Sequence, residues 1–193
     1  MIERYGAAVR AGEILVAVEA QLRHQHRRHP TVYRREWSIG VGATRIDVAA
    51  INGLIIGCEI KSAQDNFGRL ESQARLYSAV LDTAILVVEG HAAAARADSI
   101  IPGWWGLWCA SKTVHGADLD VVRAPRPNPA PDALSIAQLL WRDEAYEVLN
   151  RRGLGTGLRR ATRWRLWEAL ASQLPLAALQ REVRETIKAR PGW

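Results

Sequence analysis

Lysine is nearly missing from this chain: of 26 basic residues in 193, only Lys61, Lys112 and Lys188 are lysines. Arginine stays protonated at any working pH, whereas lysine is a compact charge whose pKa a site can lower. A lysine inside an apolar strand of an otherwise arginine-using chain is therefore informative. Cysteine is scarce too. Cys58 and Cys109 both fall in apolar, strand-like runs, the pattern of buried reduced thiols and not of a disulfide-stapled secreted domain. No apolar run approaches the roughly eighteen residues a membrane helix needs. The N-terminal MIERYGAAVRAGE has no basic-then-apolar signal layout, so the expected location is cytoplasmic, with no membrane partner. No G-x-x-x-x-G-K-[ST] loop occurs, so ATP use is not encoded, and no Ser-His-Asp or Cys-His arrangement stands out.

What is present is an ordinary globular composition, 48% hydrophobic and 24% charged, long enough to bury a real core. The net charge of +6 and pI near 9.9 favour a polyanionic partner. Ile14, Val18 and Leu22 recur at helical spacing in residues 11–27. Alternating or apolar runs at 31–39, 44–51, 54–61, 84–90 and 104–110, with LDVVR at 119–123, predict strands. Residues 66–82 place Phe67, Leu70, Ala74, Tyr77 and Leu81 on one helical face, with Asp65 or Asn66 as N-cap. The resulting order opens α-β-β-β-α-β. APRPNPAPDA (124–133) reads as an extended linker, followed by helices over 135–153, 158–174 and 175–190. The expected division is a core at 1–123, a linker at 124–133 and a basic helical extension at 134–193.

The strand pair at 44–61 raises a question of register. Outside the loop the even positions, Ile46, Val48, Ala50, Leu54, Ile56, Cys58 and Ile60, are all apolar, while Arg45, Asp47, Gly57, Glu59 and Lys61 are odd. A two-residue Asn52-Gly53 turn would split the apolar face. A three-residue loop, Ile51-Asn52-Gly53 with Gly53 left-handed, pairs 50 with 54, 48 with 56 and 46 with 58, and keeps the face whole. Asp47 then lies across from Gly57 and diagonal to Glu59. Diagonal neighbours are about 7 Å apart, and Gly57 leaves room, so the two carboxylates can share one hydrated divalent ion.

Asp47, eleven residues, then Glu59-Ile60-Lys61 resembles the PD-(D/E)XK signature of restriction-endonuclease-like nucleases, with Ile46 where that signature has proline. Arg45-Ile46-Asp47 is similar to the RID element of RecB-type nucleases, and Gln73-Ala74-Arg75-Leu76-Tyr77 matches their Q-x-x-x-Y helix motif. The wider run, with IPGWWGLW and a helical C-terminus, also looks like a small uncharacterised bacterial family of that superfamily. The resemblance covers residues 11–110. It implies an α/β fold with a restriction-endonuclease-like αβββαβ core, a mixed central sheet and a C-terminal helical extension.

The activity so implied is metal-dependent phosphodiester hydrolysis, most naturally of DNA, with RNA an open alternative. Asp47 and Glu59 would hold Mg²⁺ or Mn²⁺ with the carbonyl of Ile60, and Glu36 could add a carboxylate, with Glu19 a competitor for that place. Lys61 would orient the attacking water and offset charge in the transition state. Gln73 would hydrogen-bond the metal shell or the lysine. Arg45 and Tyr77 would lie near phosphate. Arg159, Arg160, Arg163 and Arg165 form a phosphate grip or, read structurally, the solvated face of a packing helix. Ala169, Leu170, Leu174, Leu176 and Leu179 would form bundle core or a homodimer face. The same fold could instead serve as a non-catalytic nucleic-acid-binding module, or as an interaction protein whose C-terminal helices meet a partner.

Overall fold

The computed structural model describes residues 9–191. Residues 1–8, on which the signal-peptide reading partly rests, lie outside it. Helix α1 (Ala11–Gln25) is followed by strands β1 (Val32–Ile39), β2 (Thr44–Ile51) and β3 (Ile55–Lys61), then α2 (Leu70–Val80), β4 (Thr83–Glu89), α3 (His91–Asp98), β5 (Gly106–Thr113) and β6 (Gly116–Arg123). Four helices close the chain: α4 (Ala133–Ala137), α5 (Arg142–Arg151), α6 (Arg163–Gln173) and α7 (Leu176–Lys188). The strands form one six-stranded mixed sheet in sequential order. β1, β2 and β3 run antiparallel, β3, β4 and β5 parallel, and β6 antiparallel to β5. The two parallel connections run through α2 and α3, and crossovers of one hand place both helices on one face.

Each face of the sheet has its own core. On one side Val48, Ala50, Cys58, Ile60, Ile85 and Val87 pack beneath Ile14, Val18 and Leu22 of α1. On the other, Ala49, Ile51, Ile55, Leu86 and Val88 pack with α2, α3 and the C-terminal helices in one continuous cluster. A strand buried on both faces reads as a continuous apolar run, as β4 does. Cys58 and Cys109 are free and buried. Among the described residues no helix is long and apolar enough to cross a membrane.

The proline-rich segment is extended, and it is pinned. Arg126 N–H bonds the Trp104 carbonyl at 2.8 Å, Asn128 N–H the Asp82 carbonyl at 2.8 Å, and Asp132 N–H the Ala79 carbonyl at 2.9 Å. The Asn128 amide adds bonds to the Ser78 and Leu81 carbonyls, both at 2.7 Å.

Three expectations need correction. The helix expected over 135–153 is two helices, because the backbone turns extended at Trp141. Carbonyls released at the break find donors: Arg190 reaches Leu139 O at 2.7 Å and Trp167 Nε1 reaches Leu140 O at 3.0 Å. The next helix begins at Arg163 because Thr162 caps it, accepting from Arg165 N–H at 3.4 Å. Arg159 and Arg160 therefore precede the helix that carries Arg163 and Arg165. Finally, α2 starts after Arg69. Asp65 instead accepts from Ser62 N and Oγ at 2.8 and 2.7 Å, and Asn66 from Gly68 N at 3.0 Å.

Candidate active site

The site grows out of the β2–β3 pair. The loop has three residues, Asn52-Gly53-Leu54, and Ile51 pairs with Ile55, Ala50 with Ile56 and Val48 with Cys58. Parity between the strands is as expected, but the register is displaced by two residues. Gly53 is not left-handed; Asn52 closes the loop, its Oδ1 accepting from Leu54 N at 3.0 Å. Continuing this register places Asp47 opposite Glu59 itself. Gly57 faces Ala49, and the space above it is filled, since a Cβ there would stand 2.5 Å from Leu81 Cδ1. The glycine serves packing and not an ion.

The ladder ends at Val48–Cys58 although both strands continue. In the opening, the Asp47 carboxylate takes the place of backbone: Oδ2 accepts from Ile60 N–H at 2.7 Å. A second irregularity coincides with it. Arg35 reaches Glu19 on the α1 side with two 2.6 Å bonds, yet Trp37, two residues on, is buried on the opposite face. Residues two apart in a regular strand share a face, so β1 rolls over at Glu36, which has φ +50°. The paired strand does the same: Val48 packs on the α1 side and Ile46 on the other. The expected all-even apolar face is thus broken at Asp47. This double roll delivers Glu36 and Asp47 to the sheet end instead of to either core.

Glu59 and Lys61 point to the α2 face and are only 2% and 8% exposed. Lys61 Nζ donates to Glu59 Oε1 at 2.6 Å and to Gln73 Oε1 at 3.1 Å, while Gln73 Nε2 donates to Glu59 Oε1 at 2.7 Å. Tyr77 OH lies 2.5 Å from both Glu59 Oε2 and the Arg45 carbonyl. Gln73 and Tyr77, one turn apart on α2, thus hold the two oxygens of a single carboxylate. These three donors occupy three of its roughly four lone-pair positions. Tyr77 is fully buried and stacked on Trp105, centroids 5.7 Å apart, and its hydroxyl is engaged by Glu59 and the Arg45 carbonyl. Burial and the Glu59 charge push its phenol well above the ordinary range.

A polar cleft of about 480 Å³ joins these groups: Glu36, Asp47, Glu59, Lys61 and Gln73 all line it. Burial first, then the Glu59 charge, push the Asp47 carboxyl up to about 7; Glu36 adds to this, and the Ile60 amide and Lys61 oppose it. Two repelling carboxylates, one buried and one half-buried, attract a cation. Among the described residues no group of three or more His, Cys, Asp or Glu converges as a metal cage. Two carboxylates in a roomy polar cleft fit Mg²⁺ or Mn²⁺, which keep most of their water, better than a caged transition metal.

The remaining expected residues divide. Glu36 lines the cleft and pairs with Arg45 at 3.3 Å. Glu19 is engaged by Arg35 on the other face and is not part of the site. Ile60 brings its amide to Asp47, and its side chain belongs to the α1 core. Arg45 is exposed at the rim. Arg159, Arg160, Arg163 and Arg165 are all exposed but do not line the cleft. Arg163 lies over the Trp164 and Trp167 rings at 5.3 and 5.4 Å, and Arg165 pairs with Glu168 at 3.6 Å. Arg69 and Ser72 line the cleft and were missed; Arg69 stands four residues before Gln73, a spacing that marks the shared helix face.

A family model described as "Bacteriophage P4 protein cII" matches residues 13–191. The chain belongs to that family. This corrects the assignment to the PD-(D/E)XK superfamily, with its RecB-type motifs, and to an uncharacterised bacterial family within it. That assignment rested on short motifs between Arg45 and Tyr77, whereas the P4 cII match extends over nearly the whole chain. Small carboxylate–lysine patterns are few in residues and arise in unrelated chains. No curated protein matches the chain. A solved structure, the "SPO1766 protein of unknown function from Silicibacter pomeroyi", aligns at 18% identity over 80% of this chain and 99% of its own, with TM-score 0.44. Membership in the P4 cII family brings no activity with it.

Proposed function

We propose that this P4 cII family chain is a Mg²⁺- or Mn²⁺-dependent nuclease hydrolysing phosphodiester bonds in DNA. The observation that carries the reading is the convergence of Asp47 and Glu59 with a buried lysine in one polar cleft, where the β2–β3 ladder opens. Asp47 and Glu59 would hold the ion, with Glu36, which lines the same cleft, and the Ile60 carbonyl as further ligands. A bound divalent ion supplies Lewis acidity at a phosphoryl oxygen and lowers the pKa of a bound water. Lys61 holds a positive charge beside the reacting phosphate and donates to its non-bridging oxygen or to the attacking water. Gln73 bonds both Lys61 and Glu59 and so sets their spacing. Tyr77 keeps its proton and fixes the other Glu59 oxygen. Arg45 and Arg69 at the rim, with the +6 net charge, draw a polyanion to the cleft. The α1-β1-β2-β3-α2-β4 order, with carboxylates at the opened end of the hairpin, supports a restriction-endonuclease-like core as architecture, separate from family membership.

A second reading has its own observation. Glu59 is already held by three donors, as a structural network in a non-catalytic nucleic-acid-binding module would hold it. Plasmid nicking and oligonucleotide cleavage with Mg²⁺, Mn²⁺ or EDTA separate the two. The nuclease reading expects Asp47→Asn and Lys61→Ala to lower cleavage by about 100-fold or more with unchanged circular dichroism. Full cleavage in EDTA or in both variants would remove it. Binding without cleavage, indifferent to Asp47, would establish the module.

A further inference from the structure

The nuclease cleft does not end at the carboxylates. Beyond Glu36, Ser38 and Gly42, which line both spaces, a second depression of about 370 Å³ continues between β1 and the α4–α5 break. Arg34, Arg35, Trp141 and Arg190 are among its walls.

Trp141 is 60% exposed, and its position is nonetheless fixed. Its backbone N–H donates to Glu144 Oε2 at 2.7 Å at the start of α5, which fixes the backbone that carries the ring. The Arg190 guanidinium lies 4.4 Å from the ring centroid. Arg190 is itself locked from beneath, donating to Glu144 at 2.6 and 2.7 Å and to the Leu139 carbonyl at 2.7 Å. One face of the indole thus rests on a buried, immobilised cation, and the remainder is exposed to solvent. A large apolar ring in such a place loses little entropy when a flat ligand settles on it. Arg34 also lines this depression, which suits a flat ligand carrying phosphates; the Arg35 and Arg190 charges are taken by Glu19 and Glu144.

We propose that Trp141 is a base-stacking platform and that the substrate strand runs from it, past Arg34, into the Asp47–Glu59 cleft, making the preferred substrate single-stranded or frayed DNA. The placement of the strand rests on the nuclease reading; the platform itself does not. A base inside a duplex has both faces covered by its neighbours, so only an unstacked base can lie on the indole. The guanidinium beneath the ring adds cation–π polarisation.

The test is equilibrium binding of a fluorescein-labelled short single strand and of its blunt duplex, by anisotropy at low salt in EDTA. It uses the full chain, Trp141→Ala and Trp141→Phe. The expected result is that Trp141→Ala weakens single-strand binding about tenfold or more. Trp141→Phe should keep most of the affinity, and duplex binding should change little in either variant. Equal loss for single strand and duplex, or no loss in Trp141→Ala, overturns the platform. So does a Trp141-dependent dimer in sedimentation, which would assign the ring to a second copy of the chain. A chain that binds single strands through Trp141 and never cleaves them would overturn the nuclease reading and leave the platform standing. Cleavage unaffected by Trp141→Ala while single-strand binding is lost would overturn the placement of the strand between platform and cleft.

Discussion

The two ends of the β2–β3 hairpin are built from the same pair of strands and do different work. At the loop end the ladder is regular from Ile51–Ile55 to Val48–Cys58, both faces are apolar, and Leu81 fills the notch over Gly57. At the far end the ladder stops, Glu36 adopts a positive φ, and a side chain, Asp47, takes the backbone's partner. Regular pairing buries apolar side chains and satisfies every amide within the sheet. Interrupting it costs pairing and leaves polar groups grouped together, which is what a site for a charged ligand requires.

Four measurements would break or sharpen this contrast. The largest effect belongs to the open end and to pH. The Asp47 carboxyl is raised from 3.8 to about 7, so the folded, metal-free chain keeps a proton that the unfolded chain releases. Its contribution to stability is full below the ordinary carboxylate range and is lost as pH climbs towards about 7. Thermal melts in EDTA should show stability falling across that window, and Asp47→Asn should flatten the fall. Asp82, also raised by burial, acts in the same sense in both chains and leaves the difference to Asp47. A divalent ion must displace that proton, so its affinity by titration calorimetry should rise about tenfold per pH unit up to about 7. A pH-independent affinity would deny that Asp47 is a ligand.

The next effect belongs to the regular end. Gly57→Val would press on Leu81 and Ile46 and should destabilise by about 1–3 kcal/mol in urea unfolding. Its surviving folded fraction should bind the ion as the parent does; a specific loss of ion binding would mean that Gly57 shapes the site after all. The smallest is Asn52→Ala, which removes the loop-closing bond to Leu54 and the one to Thr31 at 3.3 Å. About 1 kcal/mol is expected, with ion affinity untouched.

Much of the architecture is legible along the chain. The strand runs, the α2 face and the parity that puts Glu59 and Lys61 together follow from periods of two and of 3.6 residues. The spacing of Gln73 and Tyr77 places them on one face of α2 and hence over one carboxylate. What misleads is local. Asn52-Gly53 looks like the tip of the loop, yet Leu54 belongs to it, because Ile51 and Ile55 gain more by pairing and burial than Leu54 gains by extending the strand. Residues 135–153 look like one helix, yet Arg190 and Trp167, distant in sequence, supply donors for the carbonyls of a break. Motif spacing alone also misassigned the family, since a few carboxylates and a lysine specify chemistry and not ancestry.

By itself, then, the sequence determined the alternation that makes six strands and a helical C-terminus, and the placing of one rare lysine two residues from a glutamate in an apolar strand. Those are nearest-neighbour properties of the backbone and of side-chain hydrophobicity. Only the tertiary structure decided that β1 and β2 roll over together at Glu36 and Asp47, that Glu19 is taken by Arg35, and that Trp141 is held on Arg190 beside the cleft. Each of these depends on contacts between residues far apart in the chain, whose energies enter only when the two cores close on the sheet.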